Sequence, residues 1–199
     1  MKTSETRIGM ANSTSTTAGG FARASGFTMI EMVMTIAIAT IVMTLAIPSF
    51  RYVTNSNRIA GEINGLLGDL QLARAEAIKE GRPVTVCTST DGTTCAGSTA
   101  WQSGWIVFPD PANPGVHDNG EILLRVQKTF SGTDTFVSSG ITAVTFNREG
   151  YASPIPNGTL ITLHDSTNTS SWTRCLSITF IGQMTTEQIG GTANGTTCS

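Results

Sequence analysis

Glu31 is the residue whose chemistry most needs explaining, because it is a carboxylate set one turn into an otherwise apolar run, FTMIEMVMTIAIATIVMTLAI, over residues 27–47. An unpaired acid in hydrocarbon costs several kcal/mol unless it is protonated or partnered, so it marks a functional position. A cut between Gly26 and Phe27 would supply a partner, the new amino group of Phe27, either four residues away or on a neighbouring copy. Other chemistry is sparse. His117 and His164 are the only bases of their kind. A nucleophilic triad needs a histidine held by a carboxylate. His164 and Asp165 are sequence neighbours that point to opposite faces of a strand. His117 sits in a Pro- and Gly-rich loop, and no Gly-x-Ser-x-Gly elbow occurs. The chain is therefore not expected to be an enzyme or to need a cofactor.

Metal sites fare little better. Asp110 to Glu121 superficially resembles a calcium loop, with Gly115 sixth and Glu121 twelfth, but Ala112 and Pro114 stand where side-chain oxygens are required. A looser calcium or water site at Asp110, Asp118 and Asn119 stays open. Cys87, Cys95, Cys175 and Cys198 all lie beyond the apolar run. An even number of cysteines on one side of a span points to an oxidising compartment and two disulfides. Of three connectivities, the shortest loops, Cys87–Cys95 and Cys175–Cys198, are the expected pairing. Zinc is the alternative, and neither a Cys-x-x-Cys spacing nor an adjacent histidine favours it.

These residues need elements to hold them. As a helix, residues 27–47 would extend about 31 Å, enough for a bilayer core. A secretory signal carries its cleavage site after a shorter apolar core; here Ser25-Gly26-Phe27 precedes the run, so cleavage would keep the helix on the mature chain. The segment before it, residues 1–26, includes NSTSTTAGG and holds Lys2, Arg7 and Arg23 against Glu5. It is assigned no fold and is expected to stay on the cytoplasmic side. Pro48 should kink or locally melt the helix. A second helix over 48–81 follows, with Ile59, Ile63, Leu66, Leu67, Leu70, Ala73, Ala77 and Ile78 on its apolar face. Arg58, Glu62, Asp69, Arg74 and Glu80 form the opposite one, where Arg74 and Lys79 read as solvated. Gly81 is the expected stop.

From Pro83 the pattern turns to short β-type runs, VTVCTS, GWIVF, EILLRVQ, ITAVTFN, TLITLHD and RCLSITFI, with turn signals at Asp91-Gly92, Asn119-Gly120 and Asn157-Gly158. The expected fold is α+β: a long N-terminal helix, membrane-spanning in its first half and amphipathic in its second, packed on an antiparallel β-sheet domain over 82–199. Trp101, Trp105 and Trp172 read as core or loop anchors. The whole chain has twelve basic and fourteen acidic residues; without residues 1–26 nine remain against thirteen, a formal −4. That acidity disfavours a polyanion partner, since nucleic-acid affinity rests on clustered Lys and Arg.

The string Gly26-Phe27-Thr28-Met29-Ile30-Glu31 resembles the signal of type IV prepilins and type II secretion pseudopilins, with Met29 where Leu is commoner. The resemblance implies cleavage after Gly26 by a membrane prepilin peptidase, N-methylation of Phe27, and neutralisation of a neighbour's N-terminus by Glu31 during assembly. Pro48 falls where pilins often carry a proline. Downstream, the Val-x-Val-Cys strand, the short Cys-to-Cys loop, Trp101 before Gly104-Trp105-Ile106-Val107-Phe108, His117-Asp118-Asn119-Gly120-Glu121 and Phe146-Asn147-Arg148-Glu149-Gly150 together resemble the GspH/FimT family of minor pilins and pseudopilins.

The resemblance implies a subunit held in the bacterial inner membrane with its domain in the periplasm, then built into a filament with other pilins or pseudopilins. The leading expectation is a minor pilin at or near a pilus tip that helps prime assembly. The alternatives are an H-type pseudopilin of type II secretion and a DNA-binding pilin of natural transformation. Some family members bind DNA through a Gly-Arg-x-Arg-type motif; the matching stretch here, Ile181-Gly182-Gln183-Met184-Thr185, has the glycine and neither arginine. Arg148 and Arg174 are the residues a DNA interface would use.

Overall fold

In the computed structural model, which describes residues 26–118, 120–156 and 159–199, one helix dominates the N-terminal part. Helix α1 runs Met29–Glu80. Glu31 apart, the polar side chains of its first half are satisfied within the helix: Thr35, Thr40 and Thr44 each return their hydroxyl to the carbonyl three residues back, at 2.9, 2.8 and 2.7 Å. A hydroxyl bonded this way can sit among apolar side chains without a desolvation penalty. The apolar half expected over 27–47 and the amphipathic half expected over 48–81 are one helix, without the local melting allowed for at Pro48. Helical assignment continues through Pro48, which removes only the single N–H that the carbonyl of Thr44 would have received. The helix stops where the sequence says it should: Gly81, at φ +66°, closes the last turn by donating to the carbonyl of Ala77 at 3.0 Å.

The chain divides into two compact units, one ending at Leu45 and the other Ala46–Ser199. The second unit holds the core. Ile59, Ile63, Leu66, Leu70, Ala73 and Ala77 of α1, recurring every three or four residues, are buried. They pack on two antiparallel sheets. The first contains β1 (Val84–Thr88), β2 (Gly104–Pro109), β3 (Arg125–Lys128), β5 (Ala143–Phe146) and β6 (Ala152–Ser153), in the order β3-β2-β1-β5-β6. The second contains β4 (Thr135–Ser138), β7 (Leu160–His164), β8 (Arg174–Ile178) and β9 (Met184–Gln188), in chain order. A ribbon of β10 (Thr192–Ala193) and β11 (Thr196–Thr197) follows.

All residues of β1 and β2 are buried, which alternation alone would not give. Val84, Val86, Trp105, Val107, Val144 and Phe146 join the helix in one cluster with Phe136, Ile161, Leu163, Leu176 and Ile178 of the second sheet. Cys87, Ile106 and Phe108 form a separate cluster with Cys95, Leu123 and Ala143. All six runs expected as strands become strands, β1, β2, β3, β5, β7 and β8, the run from Glu121 pairing only from Arg125 onward. Residues 1–25, Asn119, Asn157 and Gly158, on which the leader and two turn expectations rest, lie outside the described residues.

Candidate functional site

The helix start is built from Thr28 and Glu31. The Glu31 N–H donates to Thr28 Oγ1 at 3.2 Å, and the Thr28 N–H reaches Glu31 Oε2 at a long 3.5 Å. This is a capping box: a Thr and a Glu three residues apart satisfy each other's backbone donors at a helix N-terminus. The signature Thr-x-x-Glu was in the sequence, and reading Glu31 only for its charge passed over it. Glu31 is solvent-exposed, as is every residue from Gly26 to Leu45. Phe27 is 76 % exposed and Ile36, Ile41 and Leu45 are each above 60 %. Helix α1 thus carries a segment long and apolar enough to cross a membrane, with none of it buried by the protein itself.

The cysteines form two disulfides, Cys87–Cys95 and Cys175–Cys198, with Cα atoms 5.6 and 5.7 Å apart. The first closes a loop shaped by Asp91, which accepts from the N–H groups of Thr93 and Thr94 and from Thr94 Oγ1 at 2.7–2.8 Å. These donors hold the Asp91 carboxyl well below the usual carboxylate range. The second ties β8 to the last residues of the chain, where Leu160, Cys175 and Cys198 form a small buried cluster.

The calcium-like loop uses its carboxylates internally. Asp110 is buried and accepts from Thr85 Oγ1 at 2.8 Å and the Gly115 N–H at 2.7 Å, while Asp118 accepts from Asn113 Nδ2 at 2.7 Å. Among the described residues no group of three or more His, Cys, Asp or Glu side chains converges as metal ligands would. His117 sits edge-on to Phe108, and His164 Nδ1 pairs with Thr173 Oγ1 at 3.1 Å. Trp101 and Trp105 are core residues, their indole N–H groups donating to the Ile141 carbonyl at 3.2 Å and to Asp69 Oδ2 at 2.8 Å. Trp172 is partly buried against Tyr52.

Arg148 and Arg174 are not brought together. Arg148 lies in the turn between β5 and β6 and pairs with Glu149 at 2.7 Å; Arg174 opens β8 and donates to the carbonyls of Ser171 and Thr173. The supposedly solvated face of α1 is in fact largely anchored. Arg58 pairs with the buried Asp134 at 3.0 Å, Asp69 meets Trp105 and Arg125, and Arg74 donates to the carbonyls of Gly150 and Ile181. Helical periodicity gives a side chain's direction but not its reach, and these long side chains fold back over the domain edge. Next to Arg58, Glu62 Oε2 and Asp134 Oδ2 are both buried without a hydrogen-bond donor among the described residues. Burial, then the Asp134 charge, pushes the Glu62 carboxyl up to about 7 against the opposing pull of Arg58. A proton on Glu62 gives the two facing acceptors the donor they lack.

Residues 62–182 match the family described as Type II transport protein GspH. This chain belongs to the GspH family. The GspH match spans more than half of the chain, and residues 21–47 separately match the prokaryotic N-terminal methylation motif. Two crystal structures of the type IV minor pilin FimU from Pseudomonas aeruginosa resemble this GspH protein. One shares 22 % identity over 69 % of this chain and 92 % of that one, with a TM-score of 0.52; the other shares 23 % over 66 % and 91 %, at 0.49. The first establishes a pilin-like α+β fold. No curated protein matches this chain. Family and fold are those of structural pilins and not of enzymes, and a GspH protein with this motif and helix fits an inner-membrane-anchored subunit that assembles with other pilins or pseudopilins.

Proposed function

We propose that this GspH-family protein is a minor type IV pilin, cut between Gly26 and Phe27, N-methylated on Phe27, and incorporated at or near the pilus tip, where it helps prime assembly. The observation that carries this reading is the wholly uncovered apolar stretch of α1, headed by Glu31, on a chain whose other unit has its own complete core. Such a stretch needs lipid or other apolar helices around it. The membrane holds the subunit first, with the disulfide-bonded domain in the periplasm. Extraction into a helical bundle then brings Glu31 to the positive N-terminus of a neighbour, an attraction that strengthens as water is excluded.

The FimU structures are named as a type IV minor pilin, which supports the pilus. The family description supports the second reading, a pseudopilin that drives type II protein export with the same parts.

The test is deletion of the gene followed by complementation with tagged full-length chain. Loss of surface pili, restored by complementation with the tag recovered in sheared filaments, supports the first reading. Normal piliation with blocked protein export replaces it with the second. Mass spectrometry of the mature chain should find methylated Phe27 first, and any other start overturns the processing step.

A further inference from the structure

A groove of about 670 Å³ in the second unit runs between α1 and the β8–β9 turn and is lined by Gln71, Arg74, Ile78, Ile181, Gln183 and Met184. Arg74 is its charged element. Its Nε donates to the Gly150 carbonyl and its Nη2 to the Ile181 carbonyl, both at 3.1 Å. Gly150 and Gly182, both at positive φ, let backbone approach the guanidinium so closely that a Cβ at either would collide with Arg74 or its neighbours. The side chain is therefore held in one pose. Two of its five N–H groups are used, and those of Nη1 have no hydrogen-bond partner among the described residues.

Arg58, Lys79, Arg82, Arg125 and Arg148 each face a carboxylate of the same chain. Arg74 faces none among the described residues. Around it the wall combines Ile78, 52 % exposed, and Ile181, 44 % exposed, with Met184 and the amides of Gln71 and Gln183. One fixed guanidinium with no carboxylate partner among the described residues, beside the exposed Ile78 and Ile181, suits a single carboxylate carried beside an apolar side chain. It does not suit a polyanion, which needs several free cations in a row.

We propose that this groove is a docking site for an Asp or Glu side chain, flanked by an apolar residue, on a neighbouring pilin-type subunit. The proposal rests on the filament reading above. The test places a photo-crosslinking amino acid at Gln71 in the full-length chain, in cells assembling filaments. An adduct is expected whose cross-linked peptide comes from another pilin-type subunit and contains Asp or Glu. Its yield should fall roughly tenfold or more in Arg74→Gln, as for other truncated charge pairs, and survive largely in Arg74→Lys.

Gln183→Glu should lower the adduct too. It sets a competing carboxylate in the groove while leaving the bonds from Arg74 to Gly150 and Ile181 in place, which separates lost recognition from a loosened fold. If the chain enters sheared filaments but no adduct forms, or the adduct ignores Arg74→Gln and Gln183→Glu, or it forms on nucleic acid, the groove proposal is overturned and the filament reading stands. If the unsubstituted chain is absent from filaments, the filament reading fails and takes the groove with it.

Discussion

The two halves of α1 adopt the same backbone conformation for opposite reasons. From Met29 to Leu45 no residue is buried, and apart from the Glu31 carboxylate what the segment offers is internal satisfaction: threonine hydroxyls turned back on the helix and a capping box at the start. From Ile59 to Ala77 six residues are buried, and the helix is held by what it packs against. A helix of the first kind must find its tertiary contacts outside its own chain. One of the second kind is part of a domain core.

The sharpest way to break this contrast is at Glu31. Glu31→Ala should leave cleavage intact and lower the chain's recovery in sheared filaments at least about tenfold, the scale of one unpaired charge in an apolar bundle. Because Glu31 also caps the helix, Glu31→Gln is the decisive companion. Glutamine keeps a capping-box acceptor and loses the charge. Recovery in Glu31→Gln as poor as in Glu31→Ala assigns the role to charge; wild-type recovery would reduce Glu31 to a helix cap.

The second half should answer to packing instead. Leu66 is fully buried, so Leu66→Ala should cost about 3 kcal/mol, within the range for leucine truncation in cores. Ile38→Ala, at a position 59 % exposed, should leave domain unfolding in detergent unchanged, as read by near-ultraviolet circular dichroism of the full-length chain. Equal losses in both would mean that the first half stabilises the domain, contrary to the comparison. The two disulfides grade the domain further. Replacing Cys175 and Cys198 by alanine opens the longer loop, with a separation of 23, and should cost about 3.5 kcal/mol; replacing Cys87 and Cys95, with a separation of 8, about 2.6. Urea midpoints would check that order.

Much of this contrast was legible in the sequence. A predominantly apolar run from 27 to 47 and a three-to-four-residue repeat from Ile59 onward distinguish the halves before any fold is drawn. The sheets were read only in part. Strand β9, Met184–Gln188, is after Met184 a polar run of Thr, Glu and Gln that pairs with β8 through its backbone, so side-chain pattern says little about it. Strand β4 alternates correctly, but Phe136 is the one large buried side chain in its four residues. The cysteine loops were within reach because loop length is a sequence property. What lay beyond it is contact across long separations: Arg58 with Asp134, Trp105 with Asp69, and Arg74 with two turns of the sheet domain.

Asp134 and Glu62 also give the second half a dependence on pH. Glu62 has a carboxyl raised from 4.5 to about 7 in the folded chain, first by burial and then by Asp134. Between those values the folded state holds a proton that the unfolded state has released. Stability therefore falls as pH rises from about 4.5 to 7, then levels off, the opposite of a salt-bridged carboxylate. Because Glu62 is only partly buried, solvent screening reduces the effect to about 1–2 kcal/mol. Glu62→Gln, which keeps a donor for Asp134 Oδ2 at every pH, should remove this contribution and raise stability at pH 8 more than at pH 5. A pH profile that keeps the same slope in Glu62→Gln would mean that Glu62 is ionised throughout. The link from α1 to the β3–β4 loop would then rest on Arg58 and Asp134 alone.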